Sequence, residues 1–252
     1  MVLHAYSFVG LFFLLNVLSL WEFYRLIKAG RLQPIRYWGM VCGIVVYGVM
    51  FGIAHLGWSG DYALLLFPLF FVTFLIKLFD PRDPDRAFDG VAYTLLGIFY
   101  VTVPFALLQF IAFDAEGTYH FQPVLGIILL LWANDTGAYF VGRTIGKHPL
   151  FPRVSPKKTW EGFFGGAALA LLVTVGLCYW ATDLQWWEWL LVWVVLVVPA
   201  SLGDLVESLL KRGLMQKDSA RTLPGHGGFL DRFDGLLLAS PFLLLLWYLL
   251  GH

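Results

Sequence analysis

Acidic and hydroxyl side chains between residues 203 and 234 are spaced for chemistry on phosphate groups. Asp204, Glu207 and Ser208 recur at i, i+3 and i+4, which puts them on one helical face, and Lys211 follows a turn later. Asp231 and Asp234 repeat the i, i+3 spacing. Four carboxylates facing one another in an apolar setting repel strongly unless cations neutralise them. Hard oxygen donors of this kind select divalent ions of the magnesium type. Between the two acidic groups lie Lys211, Arg212, Lys217, Arg221 and a turn from Pro224 through His226 and Gly227 to Gly228. Positive charge and bare backbone N–H groups both favour phosphate. His226 has two open roles, donor to a phosphate or cap of the glycine turn. Asp218 reads as a surface partner of Lys217.

A second group of polar residues precedes this one. Asn134 and Asp135 interrupt an apolar run, and carboxylates at membrane depth by default mark a functional interior. The plainer alternative is an Asp paired to a neighbouring helix for packing specificity. The loop that follows carries Arg143 and Lys147, for which an ordinary basic loop is as good an account as function. Ser155 and Pro156 predict an N-cap and first helical position, with Lys157, Lys158 and Thr159 in the first turn. Two lysines there oppose the helix dipole unless an anion sits nearby. Pro199 falls inside the span that leads to Asp204, where it removes a backbone hydrogen bond and bends or opens the helix.

The elements that position these groups follow from composition. The 252 residues are 59% hydrophobic and 13% charged, against about 25% charged in a soluble domain. Eight apolar stretches, near 3–27, 37–56, 62–79, 89–113, 121–142, 160–182, 188–212 and 231–250, are each of membrane-spanning length. Period-two alternation is absent, so a membrane barrel is excluded. The expected fold is all-α: a polytopic helical bundle forming a single membrane domain over 1–252. Within it 1–120 supply scaffold helices and 121–252 the catalytic helices and loops. All 17 Lys and Arg fall in or beside 25–36, 77–86, 143–158 and 211–232. These are alternate connections, so the positive-inside rule puts them in the cytoplasm and both termini outside. Cys42 and Cys178 each lie within a span and suggest no disulfide. The first stretch lacks a basic leader and a cleavage site, so it reads as a retained helix. Glu22 and Arg25 read as an interfacial anchor at its edge, and the proline-broken run 80–86 as an inside turn.

Ser208, Lys211-Arg212, Lys217-Asp218, Pro224, His226-Gly227-Gly228, Asp231-Arg232 and Asp234 together resemble the signature of the CDP-diacylglycerol synthase (phosphatidate cytidylyltransferase) family, with no departure across that motif. Asn134-Asp135, Tyr139, Gly142-Arg143, Gly146-Lys147 and the run Ser155 to Gly162 are similar to the same family, so the resemblance covers about residues 130–240. It implies an integral-membrane homodimer that joins CTP to phosphatidic acid, giving CDP-diacylglycerol and pyrophosphate. Mg2+ is implied as cofactor, with room for a monovalent cation such as K+ beside it. The implied metal ligands are Asp204, Asp231 and Asp234, with Glu207 and Ser208 adjacent. Lys157, Lys158, Thr159, Lys211, Arg212, Lys217 and Arg221 would face the phosphates. Family members usually carry a further hydrophobic helix ahead of the segment resembling 3–27, and the sequence begins without it.

Two other readings share some of these features. A CTP-dependent membrane enzyme acting on another lipid, an archaeal-type ether phosphatidate or a polyprenol, would present similar metal and nucleotide motifs. An ion-coupled transporter accounts for Asp135 and Asp204 but not for the basic, glycine-rich loop that ends in two aspartates. Nothing points to nucleic acid.

Overall fold

The computed structural model describes residues 4–80, 86–214 and 228–252. Among them, eight helical segments are long and apolar enough to cross a membrane, and they match the eight stretches expected from the sequence. The chain is an integral membrane protein built as a polytopic helical bundle. Helix α1 runs Ala5–Ala29 and α2 Arg36–His55. The third span is a 3-10 stretch, Gly60–Leu65, continued by α3, Leu66–Leu78. The fourth is α4, Ala87–Gly97, then a π-helical turn at Ile98–Thr102, then α5, Val103–Ala112. Hydropathy reads that span as one unbroken helix. The π turn precedes Pro104, which has no N–H to return to the preceding turn, and the wider turn accommodates the lost bond.

Four more spans complete the chain: α6, Phe121–Ile145; α7, Trp160–Trp180; α8, Trp186–Gly213; and α9, Leu230–Leu250. Between α6 and α7 lies a short antiparallel hairpin of β1, Pro149–Phe151, and β2, Ser155–Thr159. Pro199 lies inside α8, as the sequence indicates.

The chain divides into two compact units, one of residues 1–119 with 211–233, the other of 120–210 with 234–252. In the first, Phe8, Phe12, Phe23, Tyr24, Tyr47 and Phe105 are fully buried. The two tyrosine hydroxyls among them find backbone carbonyls, as the absence of water in hydrocarbon favours. The Tyr24 hydroxyl donates to the Thr94 carbonyl at 2.7 Å, and the Thr94 hydroxyl accepts from Ile35 N at 2.8 Å. At the α3 end, Lys77 pairs with Asp80 at 3.3 Å.

The second unit is built on close helix approach. Along α6 and α7, Asn134, Gly137 and Ala138 meet Gly162, Gly165 and Gly166 backbone to backbone. A methyl group added at Gly166 would lie 2.5 Å from the Asn134 carbonyl oxygen, and one at Gly137 would lie 2.6 Å from that of Gly165. Lipid tails are as apolar as leucine, so such helices associate through van der Waals contact, and small residues permit it. Trp189 is fully buried over Gly126, and Trp193 Nε1 donates to the Ala167 carbonyl at 2.9 Å.

Gly166→Leu should therefore destabilise the protein by about 1–3 kcal/mol, the range for overpacking. Gly176→Leu on the same helix has open space at its Cβ position and should leave stability unchanged. Melting of the purified variants in detergent reads the difference.

Candidate active site

Helices α6, α8 and α9 and strand β2 bring polar residues together in the second unit. Gly203 on α8 packs against the backbone of Asp234 and Gly235 on α9, so closely that any Cβ at 203 would overlap the Asp234 carbonyl. Reciprocally, a methyl group at Gly235 would lie 3.0 Å from the Ala200 carbonyl oxygen. This crossing of two glycines is what sets Asp204 beside Asp234. The Asp234 carboxyl is 8% exposed, accepts from Gly235 N at 2.6 Å, and lies within electrostatic range of Asp204, Asp135 and Lys158. Lys158 reaches Asp204 Oδ2 at 2.7 Å and donates to the Ser201 carbonyl at 3.0 Å. Asn134, 1% exposed, donates from Nδ2 to the Ser201 hydroxyl at 3.3 Å. Ser201 was not singled out by sequence; a serine within an apolar helix carries no signal until its two partners are known. Glu207 is 1% exposed on the same helix, and Ser208 is half-buried.

The basic hairpin departs from the sequence expectation. Ser155 and Pro156 do not begin a helix: residues 155–159 form β2, and α7 starts at Trp160. The cap is Thr159, whose hydroxyl accepts from Gly162 N at 3.2 Å. Lys157 and Lys158 are therefore strand residues. The Glu161 carboxylate, in the first turn of α7, accepts from Lys147 N at 3.1 Å and His148 N at 3.2 Å, and contacts the His148 ring. This latch holds the hairpin against the helix end, and carboxylate on backbone N–H is a strong charge-assisted pairing. Alternation along β2 then separates the two lysines, leaving Lys157 exposed and turning Lys158 inward to Asp204. Asp135 and Arg143 lie on the exposed side of α6, where Arg143 donates to the Tyr139 hydroxyl at 2.7 Å.

The first unit holds the remaining described residues of the motif. Lys211 on α8 forms an ion pair with Asp231 Oδ1, while Asp231 Oδ2 accepts from Gly228 N at 3.1 Å. Arg212 is exposed. Glu22 corrects the anchor reading: it is 1% exposed inside the bundle, and its Oε2 accepts from Phe229 N at 2.7 Å. A carboxylate near the end of an apolar helix gave a signal that could have found it, but the sequence does not say which way the helix turns. Lys217, Arg221, His226 and Gly227 lie outside the described residues, as does 81–85 of the expected inside turn.

Among the described residues, no group of three or more Asp, Glu, His or Cys side chains forms a ready-made metal cage. Asp204, Asp231 and Asp234 are instead held against cations and N–H groups of the chain itself. Their chemistry fits a hard divalent cation: the donors are carboxylate oxygens, Asp204 and Asp234 are neighbours, and both Asp204 and Asp231 already bind an ammonium group.

Comparison with known proteins places the chain in a family. The cytidylyltransferase family matches residues 1–250. A phosphatidate cytidylyltransferase of Staphylococcus haemolyticus is 39% identical over 189 residues, covering 73% of this chain and 71% of that protein. One from Staphylococcus aureus strain COL is 34% identical over 232 residues, covering 90% and 86%. A third, from Staphylococcus epidermidis strain ATCC 35984, is 40% identical over 174 residues, covering 68% and 65%. The chain belongs to the cytidylyltransferase family and is a nucleotidyl-transferring membrane enzyme.

Gly203→Ala should push α8 from α9 and lower cytidylyl-transfer turnover at least ~10-fold, since a misplacement of about 1 Å can cost up to ~10²-fold. Gly213→Ala on the same helix meets open space and should keep wild-type turnover. Steady-state rates of the two variants at saturating CTP provide the comparison.

Proposed function

We infer that the chain transfers CMP from CTP to phosphatidic acid, releasing pyrophosphate and forming CDP-diacylglycerol for phospholipid synthesis. The observation that carries this reading is the Lys158–Asp204–Asp234 grouping at the α8–α9 glycine crossing, taken with family membership over the whole chain. The names of the Staphylococcus relatives supply the lipid substrate. An oxygen of the lipid phosphate forms a bond to the α-phosphorus of CTP. The bond from that phosphorus to the bridging oxygen breaks, and its electron pair leaves with pyrophosphate. A phosphomonoester has a second pKa of about 6 and is largely ionised near neutral pH, so no side chain has to remove a proton. What the chain must supply is positive charge where two polyanions meet.

Lys158 is held at Asp204 in one unit and Lys211 at Asp231 in the other, and each ammonium group would turn from its carboxylate to a phosphate oxygen. In this reading Lys157, Arg212, Lys217 and Arg221 would add positive charge for the nucleotide, Thr159 a hydroxyl donor, and Asn134 and Asp135 further polar groups from α6. His226, Gly227 and Gly228 would add donors to the phosphates. Asp204, Asp231 and Asp234 are the proposed Mg2+ ligands, with Glu207 and Ser208 next to them, and a monovalent cation such as K+ beside them is part of the same proposal. Bound there, Mg2+ would neutralise phosphate charge and stabilise the leaving pyrophosphate. The family resemblance supports a homodimer in the inner (cytoplasmic) membrane. The confinement of all 17 Lys and Arg to alternate connections supports an active site facing the cytoplasm with both termini outside.

Radiolabelled CTP with the purified protein should give CDP-diacylglycerol only when phosphatidic acid and Mg2+ are both present. A polyprenol or an ether phosphatidate should be a poor acceptor. Asp204→Asn, Asp231→Asn and Asp234→Asn should each lower turnover at least ~10²-fold, comparable to losing one preorganised electrostatic group. Near-normal turnover of Asp231→Asn at saturating Mg2+ would overturn the ligand assignment.

A further inference from the structure

Helix α1 belongs to the part of the chain that sequence assigns to scaffold, yet it sends a buried carboxylate to the start of α9. Glu22 is 1% exposed, and such a group is costly in an apolar bundle unless hydrogen-bonded or paired. Its Oε2 accepts from Phe229 N at 2.7 Å, across 207 residues of sequence. Its Oε1 is buried without a hydrogen-bond partner and lies directly over Gly228, where any Cβ would overlap it. The N–H groups that open a helix have no partner within it, and a negative charge there is favourable. Asp231 takes the neighbouring N–H, that of Gly228, at 3.1 Å, and its other oxygen binds Lys211. Asp231 thus holds the Gly228 N–H, Glu22 holds that of Phe229 and also interacts with that of Leu230, and Glu22 lies within electrostatic range of both Asp231 and Lys211.

We propose that Glu22 is a positioning residue for cytidylyl transfer: by fixing the Gly228–Phe229 peptide it orients the Asp231 carboxylate at the α9 entrance. This rests on the assignment of Asp231 to the reaction made above. Glu22 needs no contact with substrate. Its oxygen holds the backbone from which Asp231 is aimed, and a one-residue slip of that turn would carry Asp231 off Lys211. The essential feature is an acceptor at the right reach, so a glutamine should serve nearly as well as a glutamate.

The test compares wild type, Glu22→Ala and Glu22→Gln as full chains purified in detergent, by steady-state kinetics and by amide hydrogen exchange. Glu22→Ala is expected to lose at least ~10-fold in kcat, with KM for CTP within about 2-fold, as for a group acting only on transition-state geometry. Exchange over 228–233 should quicken at least ~10-fold while α2 and α7 keep wild-type protection, the sign of a local opening. Glu22→Gln should restore kcat to within about 3-fold and restore protection, because the amide oxygen still accepts from Phe229 N. Wild-type exchange over 228–233 in Glu22→Ala overturns the proposal, as does loss of protection spread through α1, α2 and α5. Should Glu22→Ala fail to fold, Glu22→Asp withdraws the oxygen by one methylene. It should show an intermediate kcat and faster local exchange, and wild-type values for both overturn the proposal. If the cytidylyl-transfer reading itself is wrong, wild type gives no CDP-diacylglycerol, yet the exchange contrast between Glu22→Ala and Glu22→Gln remains.

Discussion

A carboxylate inside an apolar helical bundle must be given a cation or an N–H, and the arrangement of this protein follows from that requirement. Charge is poorly solvated in a low-dielectric interior, and leaving one member of a pair alone there costs several kcal/mol. Four acids meet the demand within their own units. Asp204 has Lys158, Asp231 has Lys211 and Gly228 N, Asp234 has Gly235 N, and Glu22 has Phe229 N. The same demand serves the chemistry. A site that gathers negative oxygens needs cations close by, and those cations are what triphosphate and lipid phosphate require when they meet.

Backbone contact between helices is the second condition. Helices α6 and α7 touch through Gly137, Gly162, Gly165 and Gly166, and α8 meets α9 through Gly203 and Gly235. In lipid no hydrophobic force draws helices together, so the gain must come from packing, and glycine lets backbones approach. The consequence at the site is geometric. Asp204 follows Gly203 and Asp234 precedes Gly235, so the residues that permit the crossing also set the two aspartates beside each other. Chemistry and packing share the same few positions.

The hairpin between α6 and α7 shows how a basic loop becomes a directed one. Glu161 gathers two backbone N–H groups and the ring of His148, and Thr159 caps α7. With both ends tied, alternation along β2 decides which lysine faces inward. Lys158 does, and Lys157 stays exposed. A helical first turn would have pointed both lysines along the helix dipole in the unfavourable sense. The strand avoids that conflict while keeping the charge at the site.

The eight spans were legible in the sequence because the thickness of a hydrocarbon layer fixes how many apolar residues must run together, and composition alone reports it. The aspartates were legible for a related reason: a charge amid such a run is expensive wherever it points, so its presence marks function. What decides partner and direction is not local. Glu22 looks the same in sequence whether it faces a membrane surface or the interior, and only packing of α1 in its unit brings it to Phe229. Ser155-Pro156 suits a helix start or a strand equally, and the latch from Glu161 settles it. Gly203 and Gly235 are ordinary helix residues until their helices cross. Periodicity and composition fixed which segments are helical and which residues carry charge. Tertiary contact alone chose the partner of each charge, because the atoms that neutralise it come from segments far away along the chain.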